Sequence, residues 1–116
     1  MAFEGSCHCG AVRFTVDAAL PDSAIACNCS HCSRKGFLLS FFPRDTFTLD
    51  SGEGDLQEYL FNTHRIAHQF CTTCGTEAFA WGTGPSGEQM AAVNLRCVPA
   101  VDTGALHIQA VDGASR

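Results

Sequence analysis

From Ala11 to Val16 the chain alternates, with Val12, Phe14 and Val16 on one side of an extended backbone and Arg13 and Thr15 on the other. A period of two marks a strand with one face buried. Phe37 to Phe42 is an apolar, aromatic-rich run closed by Pro43, which predicts another strand. Brief strands are predicted over Phe47 to Leu49, Leu56 to Phe61 and Ile66 to Phe70. Thr76 to Trp81 alternates again, with Ala78 and Ala80 opposed to Phe79 and Trp81. A loop from Gly82 to Gly87, rich in glycine, separates it from strands over Met90 to Leu95 and, beyond a turn at Pro99, Leu106 to Ala110. No amphipathic run is long enough for a major helix. One short helix is expected to start near Ser30 or Ser33, where a hydroxyl can cap the first turn. The pattern predicts an all-β fold of short strands, and the 116 residues suit a single small domain over 1–116.

Hydrophobic residues make up 46% of the chain and charged residues 16%, a globular rather than a disordered composition. The net charge is -5. Lys35 is the sole lysine, and Arg13, Arg34, Arg44, Arg65, Arg96 and Arg116 are scattered. A nucleic-acid partner needs a clustered basic face, and none is visible in the sequence, so no nucleic acid is expected. Met1 to Ser6 has neither a basic start nor an apolar stretch, and the longest near-apolar run, Gly36 to Phe42, is far too short to span a bilayer. A cytoplasmic protein without a membrane partner is the expectation.

Eight cysteines change the picture. Disulfides and metal ligation are both open to an even count. Metal is favoured because no secretory leader is expected and cytosolic thiols stay reduced. One residue separates Cys7 from Cys9, and likewise Cys27 from Cys29, which is poor geometry for a disulfide within either couplet. Glycines also follow two of the clusters, as Gly10 and Gly75.

The clusters are C-x-C-G at Cys7, C-x-C-x-x-C at Cys27 and C-x-x-C-G at Cys71, with Cys97 alone. A structural zinc takes four thiolate or imidazole ligands in a tetrahedron. Short spacings let one turn present two sulfurs, and the following glycine lets the backbone fold over them. Gly10 and Gly75 occupy the same place relative to their pairs, so two matching knuckles are expected to meet at one metal held by Cys7, Cys9, Cys71 and Cys74. Cys27, Cys29 and Cys32 then form a set of three. Three protein ligands and one open position is the arrangement of a catalytic zinc, so this set is the candidate catalytic centre. A fourth ligand, His31, His64, His68 or Cys97, would instead close it as a structural site. A redox pair at Cys71 and Cys74 is a weaker alternative, because no βαβ pattern surrounds it.

Cys97 reads as a core residue, His8 and His31 as outward-pointing, and His64 and His68 as hydrogen-bonded structural groups. Arg34 and Lys35 follow the three-cysteine set directly. They are either a solvated turn or an attraction for an anionic thiol, with Arg34 the candidate substrate-binding residue. Phe37, Phe41, Phe42, Phe79 and Trp81 are expected in the core.

These three motifs, together with Gly5 to Val12, Phe70 to Gly75 and Val93 to Cys97, resemble the glutathione-dependent formaldehyde-activating enzyme family, also called the CENP-V/GFA domain. The resemblance extends over nearly the whole chain. It implies stacked short antiparallel sheets, often described as a β-tent. It implies two zinc ions per chain, a structural one at Cys7, Cys9, Cys71 and Cys74 and one tied to activity at Cys27, Cys29 and Cys32. The implied partner is a small thiol such as glutathione, and the implied reaction is that of a carbon–sulfur lyase which joins formaldehyde to that thiol. A non-enzymatic zinc module for protein contact or thiol and metal handling is the alternative. The segment between the second and third clusters is compact and leaves little room for a long substrate loop.

Overall fold

The computed structural model describes residues 2–27, 34–60, 67–83 and 86–111. Strands β1 (Phe3–Ser6), β2 (Arg13–Val16) and β5 (Phe47–Ser51) form a three-stranded antiparallel sheet with β2 in the middle. A seven-stranded sheet is built from β3 (Ser23–Cys27), β4 (Leu39–Pro43), β6 (Leu56–Tyr59), β7 (Ala67–Cys71), β8 (Phe79–Thr83), β9 (Gln89–Asn94) and β10 (His107–Val111). Its order is β10-β3-β4-β9-β8-β7-β6. No helix among the described residues is long and apolar enough to cross a membrane.

The alternation of β2 is realised in full. Val12, Phe14 and Val16 are completely buried, while Arg13 is exposed. Burying side chains of this size contributes roughly 1.5–3 kcal/mol each. Phe14 stacks on Phe47 with ring centroids 5.1 Å apart, and Phe79 meets Phe47 at 4.8 Å and Trp81 at 4.9 Å. Phe3 of β1 meets Phe42 of β4 at 5.4 Å. Aromatic side chains from both sheets thus form the core between them.

Residues directly opposite on paired strands share a face. Gln69, Phe79, Val93 and Ser40 form one row across β7, β8, β9 and β4, on the side of the core. His68, Ala80, Ala92 and Phe41 form the next row, on the opposite face. This register corrects the expectation for Phe41, which lies on the face away from the core between the sheets and is 42% exposed, while His68, Ala80 and Ala92 of the same row are buried. Trp81 is only half-buried, and the Arg44 guanidinium sits 3.9 Å from its ring centroid.

Three further differences have local causes. The segments of β1 and β3 carry one large apolar residue each, Phe3 and Ile25, so their alternation is weak in the sequence. The strand expected from Thr76 starts at Phe79, since Thr76 accepts the Cys71 N–H at 3.0 Å and belongs to a turn. Ala78, Phe79 and Ala80 are all buried, so the alternation there does not separate core from solvent. Finally, β10 pairs with β3 in parallel, from His107 opposite Ser23 to Val111 opposite Cys27, whereas every other strand pairing among the described residues is antiparallel. The expected helix start near Ser30 or Ser33 lies outside the described residues, although Arg34 and Lys35 have helical backbone.

Candidate metal centre

Two turns of matching construction converge between the sheets. The first follows β1: the Cys7 N–H donates to Val12 O at 3.0 Å and the Gly10 N–H to Cys7 O at 3.3 Å. The second follows β7: the Gly75 N–H donates to Cys71 O at 2.8 Å. Gly10 has φ 83° and Gly75 φ 78°, so each turn closes through a backbone conformation that glycine adopts without steric cost. The end of β5 and the connection that follows it to β6 brace both. Ser51 Oγ donates to Ala11 O at 3.2 Å, and Asp55 O accepts the Thr72 N–H at 2.8 Å.

The sulfurs of Cys7, Cys9, Cys71 and Cys74 all lie within 4.8 Å of one another and could hold a metal ion. Cys9 Sγ is 3.6 Å from both Cys7 Sγ and Cys71 Sγ, the latter 62 residues away in sequence. A tetrahedron with Zn–S of ~2.3 Å sets its sulfurs ~3.8 Å apart, so the group has the spacing such an ion requires. Cys7 and Cys71 are buried, Cys74 half-buried and Cys9 exposed. The C-x-x-C pair is therefore half of a four-sulfur group rather than an isolated redox couple.

Backbone and hydroxyl donors prepare this group for a cation. The Val12 N–H donates to Cys7 Sγ at 3.3 Å and the Thr73 N–H to Cys71 Sγ at 3.4 Å. Thr76 Oγ1 lies 3.4 Å from Cys74 Sγ, and with the Cys9 backbone it draws the Cys74 thiol down to about 5. The Cys74 and Thr73 N–H groups lower Cys71 against the effect of burial. Cys9 moves the other way: the Ala11 N–H pulls it down, but lost hydration and the thiols of Cys7, Cys71 and Cys74 outweigh that and push it up to about 11. Donors that favour the thiolate form at Cys71 and Cys74 suit this group to a divalent cation, which binds thiolates.

Cys97 is a core residue, as expected, in a 3-10 turn over Leu95–Cys97. Burial pushes its thiol up to about 11. His8 is exposed. His68 is buried and hydrogen-bonded: its Nδ1 lies 2.7 Å from Glu77 Oε2, and its ring stacks on Phe37 with centroids 6.3 Å apart. The Asn94 Nδ2 donates to Glu77 O at 3.1 Å. Glu77 escaped the sequence reading, although an acidic residue leading into Ala78-Phe79-Ala80 is itself an anomaly.

Of the three-cysteine set, Cys27 is described. It ends β3 and is half-buried. Cys29, Cys32, His31 and His64 lie outside the described residues. Arg34 and Lys35 are exposed, and Lys35 Nζ sits 5.9 Å from the centroid of the Phe70 ring. Arg96, to which the sequence reading gave no role, donates from Nε to Gly36 O at 2.7 Å and so reaches the same segment.

Residues 2–108 match the sequence model of the glutathione-dependent formaldehyde-activating enzyme family. The structure is similar to the crystal structure of a Rhodobacter sphaeroides protein, with a TM-score of 0.74 and 28% sequence identity, covering 91% of this chain and 99% of that one.

Proposed function

Because the chain belongs to the glutathione-dependent formaldehyde-activating enzyme family, we propose that it is a two-zinc carbon–sulfur lyase acting on a small aldehyde and a glutathione-like thiol. The observation that carries this reading is the four-sulfur group at Cys7, Cys9, Cys71 and Cys74. Those four residues satisfy one tetrahedral ion by themselves. Cys27, Cys29 and Cys32 are then left as a separate set of three ligands, the number that leaves a position for substrate. In this reading the first ion is structural and the second belongs to the reaction.

Cys27, Cys29 and Cys32 would hold the second zinc, which when bound would supply positive charge that favours the thiolate form of a thiol at neutral pH. In the forward direction the thiol loses its proton, the sulfur lone pair forms the S–C bond, and the carbonyl oxygen takes up a proton. The product is an S-hydroxymethyl thiol, and the reverse step is the lyase reaction. The protein's own part is placement: β3 delivers Cys27 while flanked on both sides by strands. Arg34 follows the set directly and offers a guanidinium to an acidic thiol. Positioning of two small reactants in a fixed pair is itself a large source of rate.

Metal content per chain and cobalt substitution test the proposal. Two zinc ions are expected, one lost to mild chelation. Glutathione should alter the ligand-field spectrum of cobalt at the weaker site. A spectrum indifferent to saturating glutathione would favour the second reading, a zinc module without a reaction of its own.

A further inference from the structure

We propose that Arg96, assisted by Lys35, holds a carboxylate of the thiol substrate; the inference rests on the lyase reading and deepens it. Arg96 is exposed, yet its side chain is fixed at one edge. Its Nε–H donates to Gly36 O at 2.7 Å, a bond that does not use the end of the guanidinium formed by the two Nη groups. The backbone beneath is fixed too. The Arg96 N–H donates to Asn94 Oδ1 at 3.2 Å, and the Leu95 N–H donates to Leu38 O at 2.8 Å. A guanidinium anchored through Nε keeps its paired Nη donors for a carboxylate, and little side-chain entropy remains to be lost on binding.

Charge makes the arrangement unusual. The chain has 12 acidic residues against 7 lysines and arginines, yet among the described residues neither Lys35 nor Arg96 forms an ion pair. Lys35 precedes Gly36, whose carbonyl Arg96 holds, and Arg34 precedes Lys35. Three cations thus meet at one short segment of a chain with net charge -5. Chain connectivity keeps this segment near the proposed reaction site. Gly36 lies four residues after Cys32, so the two Cα atoms are at most about 14 Å apart, comparable with the roughly 10 Å that an extended tripeptide spans. A thiol carried on a peptide with free carboxylates fits both requirements, and a bare alkyl thiol meets only one.

The test uses the zinc-loaded full chain and a probe that has no free thiol, S-methylglutathione, compared by calorimetry with its dimethyl ester. The wild type is expected to bind the acid about tenfold or more tighter than the ester. In R96Q that gap should close, while the ester binds as before. K35Q, which leaves the Gly36 anchor intact, should narrow the gap by a smaller factor. Three results overturn the proposal: equal binding of acid and ester by the wild type, no binding of the acid, or an R96Q variant that weakens both probes alike, since a residue that merely supports the loop would do that. The lyase reading is judged separately by the response of cobalt to glutathione, which does not depend on either S-methylated probe.

Discussion

Glu77 holds its carboxylate 2.7 Å from Nδ1 of His68, with both side chains 3% exposed, at the point where the second knuckle passes into β8. A carboxylate taken out of water is costly, and the imidazole N–H offsets that cost only while both partners are present.

Removing one member of this pair should therefore be worse than softening it. Glu77→Ala is expected to destabilise the metal-loaded protein by about 3 kcal/mol, because it breaks a buried, hydrogen-bonded pair from one side. Glu77→Gln keeps an acceptor and should lose clearly less. Urea unfolding of both variants checks this, and equal midpoints for the two would show that the acceptor kept by Gln restores nothing.

The two cysteine sets should separate by mutation. Cys74→Ser removes a sulfur from the clip between turns 62 residues apart, so loss of metal and of cooperative folding is expected together. Cys29→Ser should leave a folded chain with one metal fewer. Metal content and far-UV circular dichroism on the same samples decide. Equal unfolding of both variants would remove the division into structural and reactive ions.

Acid and alkali should both weaken the metal-free protein. Cys74, drawn down to about 5 from an ordinary 9.0, contributes stability that is complete above pH 9 and is lost as pH falls toward 5. Cys9 and Cys97, pushed up to about 11, contribute stability that is complete below pH 9 and is lost as pH rises toward 11. Stability of the chelated chain should accordingly peak near pH 9 with respect to these groups, and denaturant midpoints measured from pH 5 to 11 would reveal it. A midpoint that rises steadily through pH 11 contradicts the assignment.

Two glycines should respond differently to alanine. A Cβ on Gly5 would sit 2.3 Å from Phe14 Cζ and 2.9 Å from the Cys97 carbonyl oxygen, and a backbone carbonyl gives way poorly. Gly5→Ala should cost about 1–3 kcal/mol from this overlap and repel Phe14 from its stack on Phe47. A Cβ on Gly75 meets nothing within 4 Å, so Gly75→Ala should cost about 1–2 kcal/mol, all of it from the positive φ of 78°. Equilibrium unfolding separates them, and the near-UV signal of the aromatic core should change only for Gly5→Ala.

What the sequence disclosed and what it withheld follow from how local each cause is. Strand β2 was legible because one face is buried without exception, and the four-sulfur group because ligand spacing and a following glycine are local requirements of a knuckle. Phe41 was misplaced because a phenylalanine in an apolar run carries no mark of which face it takes; pairing with Ala92 settles that. The parallel partner of β3 and the bond from Arg96 to Gly36 are contacts across long sequence separation, and a single sequence contains no pattern for them. Glu77 lay between, an acidic residue beside a buried strand whose partner, His68, sits on the neighbouring one.

The parallel alignment of Val111 with Cys27 has a consequence for the order of assembly. A ribosome releases the chain from its first residue onward, so all four sulfurs of the knuckle group emerge once Cys74 has been made. Strand β3 is made earlier still, yet one of its flanks stays bare until β10 follows much later. The residues of both turns are made early, and the strand bearing Cys27 can become an interior strand only when translation reaches the end of β10. On the two-ion proposal, loading of the sites would be staggered in time, the four-sulfur group being complete before the strand that bears Cys27 is secured.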